Sequence, residues 1–206
     1  KMAMACALML AAISLDEDEP NVANPAANLA AKIIGEGVVE FGPDGIWPES
    51  LVAGDEVLDG LAAVVSTFIS ACGSDFGYHT VEGLSAINTA RMFLNGPVGV
   101  FNYGSSKGDK LTRTWLTSWL ASMYGNPGVP AAKAPGVIAN AGSAANLGGA
   151  GTLLYHSPYM AGYGTPTALD KAFNVSQVAT LRSAWNDPKA MFVGLKGGKN
   201  DHPGAQ

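Results

Sequence analysis

Residues 177–195 read QVATLRSAWNDPKAMFVGL, and here the chain changes character. The stretch 177–185 alternates and carries β-formers. Asn186-Asp187-Pro188-Lys189 is turn chemistry, and 190–195 is apolar and strand-like. Together they predict a β-hairpin. One hairpin does not make a stable β domain by itself. Every strongly periodic segment upstream has the period of a helix instead, so helices come first and a sheet begins near the end. That order argues for α+β, or for an α domain followed by a β domain, in a mainly α chain that ends on a C-terminal β-hairpin.

The clearest helical period lies at Val57, Leu58, Leu61, Val64, Val65, Phe68, Ile69 and Cys72, with Asp55, Glu56 and Asp59 off the stripe. Cys72 therefore reads as a small core residue. Residues 2–15 are helical by their Ala, Met and Leu content. Asn24-Pro25 predicts a helix start, an N-cap with Pro at the first helical position, followed by the stripe Leu29, Ile33, Ile34 and Val38. A further helix is expected over 81–94, an extended piece over 98–103, and a helix marked by Leu111, Trp115, Leu116, Trp119, Leu120 and Met123. The expected organisation is a helical part over 1–127, a Gly/Ala/Pro-rich linker over 128–174, and the first strands over 175–206.

Hydrophobic residues make up 48% of the 206 and charged residues only 14%, against roughly 25% in an average soluble domain. This excludes disorder as the main state and points to a surface covered by other protein chains or by the remainder of a larger protein. The net charge is −5, with the 12 basic residues scattered, which argues against a nucleic-acid partner. Cys6 and Cys72 form no CxxC, so neither a disulfide framework nor a metal site is expected, and no cofactor. The opening KMAMACALMLAAIS is shorter than the roughly 20 apolar residues of a membrane span and reads as a buried helix.

Three groups of segments, taken in order, resemble the heparinase II/III-like polysaccharide lyases. The first is Pro43-Asp44-Gly45-Ile46-Trp47-Pro48-Glu49. The second is Gly73-Ser74-Asp75-Phe76-Gly77, then Glu82-Gly83-Leu84, then Asn95-Gly96-Pro97-Val98-Gly99-Val100-Phe101-Asn102-Tyr103. The third runs over 178–185 and on to Met191-Phe192-Val193-Gly194-Leu195-Lys196-Gly197-Gly198. The resemblance implies an incomplete α/α toroid followed by β-sandwich layers, an extracytoplasmic location, and β-elimination on uronic-acid polysaccharides. In that reaction a base removes the proton beside the uronate carboxylate, an acid protonates the leaving oxygen, and the carboxylate is neutralised.

The departures from the family bear on activity. Ala53 and Glu56 stand roughly where the family carries tyrosines, and no tyrosine occurs between Phe41 and Gly77. Ala5-Cys6-Ala7 occupies the place of the family's substrate-facing Asn. The chain runs from Gly197-Gly198 to Gln206 without the family's His-x-His-Leu-Asp segment, which is either absent or lies just beyond Gln206. Candidate substrate-binding residues are Trp47, by stacking on a sugar ring, Glu49, and Asn200 and His202 in the tail. For Trp47 the competing reading is a loop anchor in the core, and for Asp44 and Glu49 it is turn stabilisation. No catalytic residue is assigned. The expectation is a degenerate or truncated lyase relative acting as a structural or binding subunit, with acidic polysaccharide as a candidate ligand. The alternatives are a fragment of an active lyase and a carbohydrate-binding helical module.

Overall fold

The computed structural model describes residues 1–104, 111, 113, 115–124, 168–185 and 187–198. Among the described residues five α-helices are followed by a small antiparallel sheet. Most of the expected 128–174 linker lies outside the described residues, as do Asn200 and His202. The chain divides into two compact units. One unit is Lys1–Glu40 with Glu56–Val81, and the other is Phe41–Asp55 with the described residues of Glu82–Gln206.

The first unit is helical. α1 (Met2–Leu15) buries Met2, Ala5, Cys6, Met9 and Ala12, one face at helical spacing. A four-residue acidic turn leads into α2 (Pro20–Val38), which buries Ala23, Ala30, Ile34 and Val38. A Cβ on Gly37, near the end of α2, would meet the Met2 side chain at 2.8 Å, so the two helices form an antiparallel hairpin. α2 starts at Pro20 and not, as expected, at Pro25. Pro20 takes the first helical position, where its missing N–H is no loss. Pro25 lies inside the helix and forfeits one bond to the carbonyl four residues back. The buried face is also displaced from the expected stripe. Leu29 is 54% exposed while Ala30 is fully buried, because alanines let neighbouring helices approach closely.

α3 (Leu51–Cys72) contributes its larger part, from Glu56 onward, to this unit. A Cβ on Gly60 would sit 2.9 Å from the Cys6 Cβ, so α3 passes close against α1. Leu58, Leu61, Val64 and Val65 are buried as the period predicts. The stripe then outruns its cover, with Phe68 half-buried, Ile69 exposed and Cys72 exposed. Cys72 is therefore not a core residue, because α3 faces an open groove at its last turns.

The second unit joins helix and sheet around one core. Ile46, Leu51, Phe93, Leu94, Val100, Tyr103, Phe173 and Val178 are buried in a single cluster. Ser50 caps α3, its Oγ accepting the Ala53 N–H at 2.9 Å. The helix expected over 81–94 is shorter than that. α4 covers Ile87–Leu94 behind a 3-10 turn, Leu84–Ala86. Gly83 delays it, with φ +90° and no room for a side chain, since a Cβ would overlap the Gly42 carbonyl. Residues 98–103 form no strand. A tight turn closes there through one bridge, Asn95 to Val100. α5 spans Trp115–Tyr124, so Leu111 precedes the helix.

The sheet has three strands, not the two of a hairpin. β1 (Lys171–Phe173) pairs antiparallel with β2 (Val178–Arg182), which pairs with β3 (Phe192–Lys196). β2 and β3 fall where the sequence predicts a hairpin. β1 lies before the expected boundary at 175, as three residues (Lys-Ala-Phe) are too short to show a period. Val178, Thr180 and Arg182 point into the core, while Leu181 faces out.

Candidate functional site

Of the segments quoted above for a resemblance, 43–49, 82–84, 95–103 and the described residues of 178–198 lie in the second unit, and 73–77 lies in the first. The loop 41–50 is closed by Ile46 N–H to the Phe41 carbonyl, and Gly45 at φ +69° lets the chain pass the Ala86–Ile87 backbone. Asp44 at its tip accepts the amides of Val175 and Ser176 at 2.7 and 2.8 Å, holding the β1–β2 turn from 131 residues away. Asp44 is thus a turn-stabilising carboxylate.

Trp47 is 9% exposed and packs on Phe41 with ring centroids 5.0 Å apart. Its carbonyl accepts the Tyr103 hydroxyl at 2.9 Å, and its indole N–H has no partner among the described residues. It anchors the loop in the core and presents little ring surface to a sugar. Glu49, two residues on, is half-buried. Trp47 and Glu49 thus share one loop, and Asn200 and His202 lie outside the described residues.

Tyr103 ends the Asn95–Tyr103 segment. Burial pushes its phenol pKa well above the ordinary value, and its proton is committed to the Trp47 carbonyl. A phenol so placed is a poor proton-transfer group at neutral pH. Ala53 and Glu56 lie in the first turns of α3. Ala5 and Cys6 are buried in α1, and burial drives the Cys6 thiol up to about 11.

No family model and no curated protein matches the chain.

The chemistry within this unit goes instead into buried polar anchors. Asp55 and Arg91 form an ion pair in which both side chains are almost wholly buried. Arg91 also donates to the Arg113 carbonyl and the Thr117 hydroxyl, tying α4 to the start of α5. On the sheet side, Arg182 donates to the Phe93 carbonyl at 2.7 Å, near the C-terminal end of α4, where a cation is favoured. Its guanidinium lies 3.6 Å from the Trp185 ring centre and 5.2 Å from that of Phe192. Burial pulls its pKa down, with the Asp170 carboxylate opposing.

Sequence reasoning did not find these anchors. Asp55 was placed off the apolar stripe of α3, yet it is 3% exposed. The available signal was Arg91 within Ala-Arg-Met-Phe-Leu, a lone cation inside an apolar run.

One further pair lies in the first unit. Asp75 accepts the backbone N–H groups of Gly77 and His79 and meets the His79 ring Nδ1 at 2.5 Å. Partial burial raises the Asp75 pKa, but these hydrogen bonds outweigh it and leave it lowered. His79 thus has a carboxylate partner four residues back. Among the described residues no group of three His, Cys, Asp or Glu is placed to hold a metal, and no helix is long and apolar enough to cross a membrane.

Proposed function

We propose that the chain is a non-catalytic structural or binding subunit, a degenerate or truncated relative of the heparinase II/III-like lyases. In this reading the helical hairpin belongs to a partial α/α toroid, and the sheet is the first layer of a sandwich covered by further polypeptide. The observation that carries it is the outer face of the sheet. Leu181 pairs with Val193 and Ala179 with Leu195 across the strands, and Leu181, Val193 and Leu195 are 42%, 40% and 56% exposed. The inner face is already filled by Phe173, Val178 and Arg182. A sheet apolar on both faces is built to be covered on both. The absence of catalysis is supported by the buried Tyr103 phenol and by Ala53 and Glu56 at the tyrosine positions.

Two measurements test the reading. Incubation with heparan sulfate and with alginate is expected to release no unsaturated uronate, and its release would overturn the non-catalytic assignment. Sedimentation velocity of the wild-type chain is expected to show self-association through the open face, abolished by Leu181→Lys with Leu195→Lys at unchanged melting temperature. A wild type that stays monomeric, with the double variant no different, would remove the covered-face argument.

A further inference from the structure

The first unit holds a groove of about 400 Å³ between the end of α1, the start of α2 and the last turns of α3. That volume lies in the range of small-molecule sites, roughly 300–1,000 Å³. Its floor is smooth, made of Ala12 from α1 and Ala23, Ala27 and Ala31 from α2. Its far wall is aromatic. Phe68 meets Phe76 edge-to-face with centroids 5.0 Å apart, and Tyr78 lies parallel to Phe68 at 6.3 Å. Phe76 is 64% exposed and sits at φ +52°, a costly conformation for a phenylalanine. The Ser74 hydroxyl accepts its N–H at 3.1 Å, and Asp75 accepts the next amide, Gly77. The loop therefore holds a large apolar ring beside the groove and not in the core.

The groove has a sign as well as a shape. Among the described residues Asp16 is the one charged side chain that lines it, and no Lys, Arg or His does. Asp16 opens an exposed acidic run, Asp16-Glu17-Asp18-Glu19, at the turn between α1 and α2. Asn24 and Asn28, one helical turn apart, add amide groups on the same side. An acidic uronate would be repelled here, so this groove is separate from any polysaccharide role.

We propose that this groove binds a small amphiphile with an aromatic or short alkyl body and a cationic head, an aryl- or alkylammonium. The body lies on the alanine floor against Phe68 and Phe76, and the ammonium meets Asp16. The rings and alanines take the apolar body, and the Asp16 carboxylate favours an ammonium over a neutral or anionic group of the same shape.

Cys72 lines the groove and is exposed, while Cys6 is buried in α1, so the protein carries its own reporter. The probe is phenethylammonium, compared with 2-phenylethanol and 3-phenylpropionate, and the readout is the rate of Cys72 alkylation by iodoacetamide, followed by mass. Cys6 should stay unlabelled throughout, reporting that the fold is intact. Phenethylammonium is expected to protect Cys72 at concentrations about three- to fivefold below those needed of the alcohol, and the carboxylate least. Asp16→Asn, at an exposed position, should erase the preference for ammonium without changing the melting temperature. Phe76→Ala should weaken protection by all three compounds. Equal protection by carboxylate and ammonium, or a preference that survives in Asp16→Asn, would overturn the assignment of charge. No protection by any compound up to its solubility limit would overturn the site itself.

Discussion

The two compact units hold themselves together in different ways. In the unit of Lys1–Glu40 and Glu56–Val81, the buried surface is mostly alanine, methionine and branched aliphatics. In the unit beginning at Phe41, the apolar core is threaded by fixed polar ties: Asp55–Arg91, Arg182 to the Phe93 carbonyl, the Tyr103 hydroxyl to the Trp47 carbonyl, and Asp44 to the β1–β2 turn. Alanine packing is short-ranged and forgiving, so a helix end can be left uncovered and a groove results. Polar ties fix one geometry, because each is worth little when made and much when broken. The difference predicts that single substitutions will act very unequally in the two units.

The largest effect is expected at the buried ion pair. Arg91→Ala removes a buried cation from beside the Asp55 carboxylate and should cost about 3–5 kcal/mol, read as a lowered urea midpoint. Asp55→Ala should cost as much. Replacing both residues with apolar ones of similar volume, Asp55→Leu with Arg91→Met, should recover most of the loss. Lys32→Ala, at an exposed position in the first unit, is the matched control and should stay within about 0.5 kcal/mol. Equal effects of Arg91→Ala and Lys32→Ala would erase the contrast.

A smaller effect is expected at the glycines of the second unit. Gly42 and Gly83 both have positive φ, but a Cβ on Gly42 meets open space while one on Gly83 runs into the Gly42 carbonyl. Gly42→Ala should cost only its left-handed strain, about 1–2 kcal/mol. Gly83→Ala should cost clearly more, since backbone must move as well, and thermal melting ranks the two directly.

How much of this was legible in the sequence follows the same division. Helices built on a repeating apolar face could be read, and so could the hairpin of β2 and β3, because both have a period; β1 could not. Their ends were read less well. Pro20 and Pro25 are both plausible first residues of a helix, and only packing chooses between them. Cys72 continues the stripe of α3 perfectly well. Its exposure reflects what does not cover it, which is not a local property. The ties of the second unit were illegible for the opposite reason. Asp44 and Ser176, or Arg182 and Phe93, are far apart in sequence, 132 and 89 residues respectively, and carry no spacing signal. Trp47 was read with both roles open, and its burial against Phe41 places it as a loop anchor.

The first unit should respond to alkaline pH through Cys6. Its thiol is raised from 9.0 to about 11, burial being the chief cause. Below about pH 9 the thiol is protonated in folded and unfolded chains alike, and the fold has its full stability. Between pH 9 and 11 the unfolded chain releases the proton and the folded chain keeps it, so stability falls as pH rises. Cys6→Ala should flatten this part of the stability–pH curve while leaving the behaviour at neutral pH governed by the second unit's ties. A curve equally steep in the variant would place the alkaline loss elsewhere.

The smallest effects have opposite signs in the two units. Ser50→Ala removes the side-chain acceptor for the Ala53 N–H at the start of α3 and should cost about 1 kcal/mol. Gly35→Ala should do the reverse. Gly35 is an exposed residue inside α2, with nothing within 4 Å of where its Cβ would lie, so alanine adds no clash. It removes backbone freedom from the unfolded chain and should stabilise by about 0.5–1 kcal/mol. Gly60 sharpens the comparison from inside the same unit. A Cβ there would come within 2.9 Å of Cys6, so Gly60→Ala should destabilise although its helical context is the same. If Gly35→Ala raises the melting temperature and Gly60→Ala lowers it, helix propensity governs the open side of this unit and close helix approach governs its interior. If both lower it, the exposed side of α2 is constrained by something beyond its own backbone, and the description of the first unit as loosely tied would fail.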